Sequence, residues 1–145
     1  MLLMLVFCIS GVKAQKHEFA NWRRYEKANK ELGEPGRKEK RVVLMGNSIT
    51  DNWAKFHPEF FKTNDFIGRG ISGQVTSQML CRFQSDVIAL RPKIVVIMAG
   101  TNDIAQNNGY IAHEHILQNI QSMCELAKQN KIRPVLCSCL PAAAF

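Results

Sequence analysis

The chain has 145 residues, 46% of them hydrophobic and 21% charged, with a formal net charge of +7. That length suits one domain with a sizeable core, and the sequence holds no internal repeat or low-complexity tract. The basic balance would fit nucleic acid or an anionic surface, but the charge is unevenly placed. Residues 16–41 carry nine Lys/Arg against five Asp/Glu, whereas residues 42–145 carry nine against seven, with no basic run interleaved with aromatics. A solvated, mildly basic arm is the reading, and no nucleic-acid partner is expected.

The first residues, MLLMLVFCISGVKA, read as a secretory leader. Residues 2–9 are almost all apolar, and Val12-Lys13-Ala14 offers a small-residue cleavage site, so residues 1–14 are expected to leave on export to a secreted or periplasmic location. The apolar run is too short to span a bilayer. Residues 15–40 form an N-terminal arm. Within it, residues 16–34 predict a helix whose Phe19, Trp22, Ala28 and Leu32 share an apolar stripe, ended by Glu34-Pro35-Gly36.

From residue 41 onward strands alternate with helices. Residues 41–45 (RVVLM) predict a buried strand, and residues 51–61 a helix interrupted at Pro58. Residues 65–71 predict a second strand. Residues 77–90 form a helix with Met79, Leu80, Phe83, Val87 and Leu90 at helical spacing. Residues 93–99 (KIVVIMA) give the strongest strand. Residues 112–129 give an amphipathic helix with Ile116, Ile120, Met123 and Ala127 on one face, and residues 133–140 a fourth strand with Pro134 near its start. The order β-α-β-α-β-α-β, with continuous apolar strands, predicts an α/β fold with a doubly wound parallel sheet over residues 41–145. Of five cysteines, Cys8 would leave with the leader. Cys137 and Cys139 are read as free and buried, and a Cys81–Cys124 disulfide is an open alternative after export.

Ligands of such folds gather beyond the carboxyl ends of the strands. Three polar clusters fall there, at residues 46–51, 70–74 and 100–103. The second includes Gly68-Arg69-Gly70-Ile71-Ser72-Gly73, which fits the dinucleotide-loop pattern G-x-G-x-x-G. It follows the wrong strand for that role, and the expected ribose-binding carboxylate some 20 residues on is replaced by Arg91-Pro92-Lys93. Acyl transfer explains the three clusters together. Ser48 sits at a strand-to-helix turn that projects Oγ from the sheet. The backbone N–H groups of Ser48 and Gly73, with the Asn102 side chain, are three donors for one oxyanion. Taken singly, Ser48 would read as a helix cap, Asn102 as a turn residue and Gly73 as a bend.

Gly46-Asn47-Ser48-Ile49-Thr50, Gly70-Ile71-Ser72-Gly73 and Gly100-Thr101-Asn102-Asp103 resemble three blocks of the SGNH (GDSL-type) hydrolase family of esterases and acylhydrolases. The resemblance implies a flavodoxin-like parallel sheet, here with four of an expected five strands. It also implies Ser48 as nucleophile, Gly73 and Asn102 in the oxyanion hole, and no metal or organic cofactor. Substrates would be acyl or acetyl esters of sugars or lipids, including lysophospholipids. The family's Asp-x-x-His, which supplies the general base and its partner, does not occur in residues 1–145. The sequence therefore reads as C-terminally incomplete, with an open fourth strand available for self-association. His113 is a candidate substitute base; a metal site built from Cys137, Cys139, His113 and His115 is disfavoured by their spacing. Two alternatives remain: a catalytically impaired domain that acts at most as a weak binding module, and a flavodoxin-like mononucleotide binder, which Asp51 disfavours by repelling phosphate.

Overall fold

The computed structural model describes residues 18–139. The expected leader and its cleavage site, the start of the arm with His17, and the last expected residue of the fourth strand lie outside that range. Four parallel strands form one sheet: β1 (Val42–Gly46), β2 (Phe66–Gly70), β3 (Ile94–Met98) and β4 (Arg133–Leu136), in the spatial order β2-β1-β3-β4. All four expected strands are present: the first is shifted by one residue and the other three are trimmed to four or five residues. Helices α2 (Ser48–Phe56), α3 (Pro58–Thr63), α4 (Thr76–Asp86), α5 (Thr101–Ile104) and α6 (His113–Gln129) connect or follow them, and α1 (Glu26–Leu32) belongs to the arm.

The side-chain period of a strand explains the two layers. Val43, Met45, Val95 and Ile97 face one way and are at most 1% exposed, packed on Met79, Phe83 and Val87 of the α4 segment and on Met123 and Ala127 of α6. The predicted apolar faces of both helices are therefore the ones buried. On the opposite face, α2 and α3 cover β1 and β2, with Trp53, Phe60, Phe61 and Phe66 in stacked and edge-on contact. Ile94, Val96 and Met98 are only half-buried, and Val135 of β4, in register with Val96, is exposed. The described helices thus leave the β3–β4 side of this face partly open.

Three local expectations change. The helix after β1 begins at Ser48, three residues earlier than its apolar pattern suggested, because Asn47 caps it: Asn47 Oδ1 accepts from the Ile49 N–H at 3.2 Å. Cys137 and Cys139 lie just past β4; Cys137 is half-buried and Cys139 exposed, so they are not buried strand residues. Cys81 and Cys124 are both free, with no disulfide between them.

The arm differs most. It is a 3-10 turn at Trp22–Arg24 followed by the short α1, and of its apolar stripe only Leu32 packs on the core: Phe19 and Trp22 are 54% and 41% exposed, and Ala28 is exposed. Polar contacts dock the rest. Ala20 is fully buried, and its carbonyl accepts from Gln74 Nε2 at 2.8 Å. Tyr25 Oη donates to the Gly70 carbonyl, Asn29 Nδ2 to Asp86 at 2.8 Å, and Trp22 Nε1 to the Cys81 carbonyl at 3.1 Å.

Replacing Asn47 with Ala is expected to cost about 1 kcal/mol in a urea melt, and Asn47→Asp to cost much less, because only the aspartate can still accept from Ile49 N–H.

Candidate active site

Parallel pairing brings the loops after the strands to one rim. Gly46 is in register with both Gly70 and Met98, so residues 47–48, 71–73 and 99–102 leave neighbouring strands in the same direction. Hydrogen bonds tie these loops together. Ile71 N–H donates to the Gly46 carbonyl at 3.1 Å. Asp51, one turn into α2, accepts from Ser72 Oγ at 2.8 Å and from Ser72 N–H at 3.3 Å. Asn102 Nδ2 donates to the Gln74 carbonyl at 2.9 Å, and its Oδ1 accepts from Asn107 Nδ2 at 3.0 Å.

The candidate nucleophile and oxyanion donors stand out by what they do not do. Because Asn47 carries the cap, the Ser48 hydroxyl is not spent on it. Among the described residues Ser48 Oγ, Ser48 N–H and Gly73 N–H have no hydrogen-bond partner, and Ser48 is half-buried at the first position of α2. Its N–H points with the positive end of the helix dipole, which favours negative charge. Gly73 holds φ +80°, a left-handed conformation that costs an L side chain energy. The Asn102 amide is fixed by its two bonds and retains a second Nδ2 hydrogen.

The three glycines of GRGISG have three separate reasons, none of them a phosphate. A Cβ at Gly68 would lie 2.6 Å from Ala54 Cβ, where α2 crosses the sheet. A Cβ at Gly70 would lie 2.2 Å from the Asp51 backbone nitrogen. At Gly73 nothing lies within 4 Å of a Cβ, and the positive φ is the requirement.

The sequence reading missed the buried network behind the rim. Arg82 of α4 is wholly buried, and its guanidinium reaches four groups: the Gly46 carbonyl at 3.1 Å, the Arg69 carbonyl at 2.9 Å, Gln74 Oε1 at 2.6 Å and Asp86 at 2.9 Å. One side chain thereby locks the ends of β1 and β2 and the loop that carries Gly73. Burial pulls its pKa below the arginine range, opposed by the hydrogen bond and charge of Asp86. A second unseen element is Asp103, 2% exposed, which accepts from Thr76 N–H at 3.0 Å and from Thr76 Oγ1 at 2.6 Å. It sets a carboxylate on the N-terminus of α4 and fixes the residue beside Asn102. The signal for Arg82 was available: Met79, Arg82, Phe83 and Asp86 share one face of α4.

The described histidines do not join this arrangement. His57, His113 and His115 are exposed, and His115 Nδ1 lies 3.0 Å from Gln118 Oε1 on its own helix. None bonds Ser48. Among the described residues no group of three His, Cys, Asp or Glu side chains converges on a metal position, and no helix is long and apolar enough to cross a membrane.

The docked arm carries a pH signature. Burial pushes the Tyr25 phenol above its ordinary value of 10.0, with Arg24 opposing. A pKa raised on folding contributes stability that is complete below pH about 10 and lost as pH rises through the folded value. Tyrosinate absorbance should therefore show one of the chain's two tyrosines ionising late, with the arm loosening alongside. Tyr25→Phe should remove that step and cost about 1 kcal/mol in a urea melt.

A parallel α/β sheet with a serine at the first strand-to-helix turn and amide donors on the two neighbouring loops matches the arrangement expected of an acylhydrolase type of fold. The chain belongs to the GDSL-like lipase/acylhydrolase family, whose profile matches residues 44–145. A solved GDSL-like lipase from Bacteroides thetaiotaomicron is 58% identical with a TM-score of 0.85, covering 88% of this chain and 62% of that one. A Bacteroides fragilis structure is 56% identical with a TM-score of 0.84, covering 87% and 61%. Among curated proteins, the uncharacterized lipoprotein YqeF of Bacillus subtilis is 32% identical over 123 residues, which is 73% of this chain and 51% of that protein. Platelet-activating factor acetylhydrolase IB subunit alpha1 of Bos taurus is 31% identical over 109 residues, 72% of this chain and 45% of that subunit. The chain thus spans about half the length of these curated relatives.

Proposed function

We propose that this chain carries the nucleophile and oxyanion hole of a serine carboxylic-ester hydrolase. Ser48 Oγ attacks the ester carbonyl while its proton passes to a general base. The N–H groups of Ser48 and Gly73 and the Asn102 amide hold the oxygen that becomes negative. The alcohol leaves with a proton, and water then cleaves the acyl-enzyme. The observation that carries this reading is a hydroxyl freed from capping by Asn47, on the same rim as two unbonded backbone donors. The substrates are acyl or acetyl esters of sugars or lipids. Export is part of the proposal, supported by the leader-like first residues and by a lipoprotein among the relatives.

Residues 1–145 contain no Asp-x-x-His, so the test supplies a base from outside. Hydrolysis of p-nitrophenyl acetate is followed for the chain and for Ser48→Ala across an imidazole series. The expected result is a Ser48-dependent rate that imidazole raises, since base assistance is typically worth about 10²–10⁴-fold. Identical rates for both proteins at every imidazole concentration would sink the esterase reading and leave the impaired binding module. The open side of β4, where Val135 and Leu136 are 37% and 56% exposed, supports self-association. Sedimentation that stays monomeric as concentration rises would remove that part.

A further inference from the structure

The arm does more than pack against the domain. A cleft of about 740 Å³ opens between it and the loop after β2. Glu18, Phe19, Asn21 and Arg23 of the arm form one wall; residues 71–74 and Asn108 form the other. The cleft reaches Gly73 but not Ser48, so it lies beside the reacting carbonyl rather than around it. We propose that the arm is a specificity wall for the ester's leaving group, and that it selects a neutral, hydroxyl-rich one: a saccharide. This rests on the hydrolase reading above.

Three features point to that chemistry. The charges in the cleft cancel: Arg23 pairs with Glu18 through its side chain at 3.4 Å, and Glu18 also accepts from Arg23 N–H at 3.3 Å. An anionic headgroup would meet Glu18 and would have to break that pair. Phe19 is 54% exposed on the cleft wall, a flat apolar surface for the C–H face of a pyranose. Around it, Asn21 and Asn108 line the same cleft with side-chain amides, polar groups of the kind a site for a polyol uses. The wall is held rigidly, because Gln78 Nε2 donates to the Phe19 carbonyl at 2.8 Å and Gln74 Nε2 to the Ala20 carbonyl at 2.8 Å. Arg82 holds the other end of Gln74.

The test is saturation-transfer NMR on the whole chain, with 6-O-acetylglucose as the saccharide probe and lysophosphatidylcholine, below its micelle concentration, as the lipid comparator. At about 10 mM sugar, even a Kd of about 1 mM leaves most sites filled. The expected result is saturation of the sugar ring protons, weakened at least tenfold by Phe19→Ala and kept by Phe19→Tyr. Asn21→Gly, which keeps the backbone conformation while removing the amide, should also weaken it. Binding that survives Phe19→Ala and Asn21→Gly, absence of sugar saturation, or saturation of the choline and acyl protons instead would each overturn the proposal. Ser48→Ala leaves this binding intact while abolishing hydrolysis. Loss of the esterase reading alone would therefore appear as sugar binding without Ser48-dependent turnover. Failure of the cleft alone would appear as Ser48-dependent turnover with no sugar binding.

Discussion

Replacing Arg82 with Ala is expected to destabilise the protein by about 3–5 kcal/mol, the usual result of removing one partner from a buried ion pair. Domains commonly have only about 5–15 kcal/mol to lose. The change removes four hydrogen bonds at once. It leaves Asp86, 1% exposed, with Asn29 and Ser85 as its remaining partners. Arg82→Lys should recover little, since an ammonium cannot present the flat fork that spans Gly46, Arg69 and Gln74. The double change Arg82→Met with Asp86→Leu should recover much of the stability, because well-packed apolar side chains often match a buried pair. Urea melts of the four proteins check this. A loss below about 1 kcal/mol for Arg82→Ala would mean that water replaces the guanidinium and that the network is not what locks the rim.

The second large effect is expected at Gly70. A Cβ there would meet the Asp51 nitrogen at 2.2 Å and the Asn47 carbonyl oxygen at 2.7 Å, all backbone atoms of the first turn of α2. Neither can swing aside as a flexible side chain would, so α2 must move off β2. A cost of about 3 kcal/mol, at the top of the usual range for overpacking, follows. Ser48 moves with the helix, so imidazole-assisted hydrolysis should fall with stability. Gly73→Ala is the informative contrast. It has open space but φ +80°, so the cost should be about 1–2 kcal/mol, with the fold intact. Equal melting for wild type and Gly70→Ala would show that β2 and α2 approach less closely than described.

The strands and the two long helices were legible because their apolar periods agree with burial on both faces of a sheet. The site loops were legible because glycine, serine and asparagine cluster at strand ends. The buried charges were not, because Arg and Asp in a helix read by default as a solvated face; only their sharing the Met79–Phe83 face marks Arg82 and Asp86 as interior. The arm misled for the converse reason. Its aromatic residues suggested an apolar stripe, while it docks mostly through polar contacts, the carbonyls of Phe19 and Ala20 and the polar atoms of Trp22, Tyr25 and Asn29, which an apolar period does not reveal. At Ser48 composition could not say whether serine or its neighbour caps the helix. That choice depends on a single hydrogen bond from Ile49 to Asn47, and it decides whether the hydroxyl is free.

The position of β1 in the middle of the sheet sets the order in which the chain can mature. Val42 pairs with Phe66 on one side and Ile94 on the other, so its second neighbour lies 52 residues downstream (94 − 42). At synthesis rates of about 5–20 residues per second, roughly 3–10 s pass between the two strands. During that interval β1 and β2 form at most a two-stranded parallel ribbon in which the β1 edge that later pairs with β3 is bare. Arg82, which locks the ribbon's end, emerges only after both strands. Non-local parallel pairing of this kind is intrinsically slow and exposes sticky edges. The central strand that brings three loops to one rim also leaves the half-made chain with an unpaired β1 edge until β3 arrives.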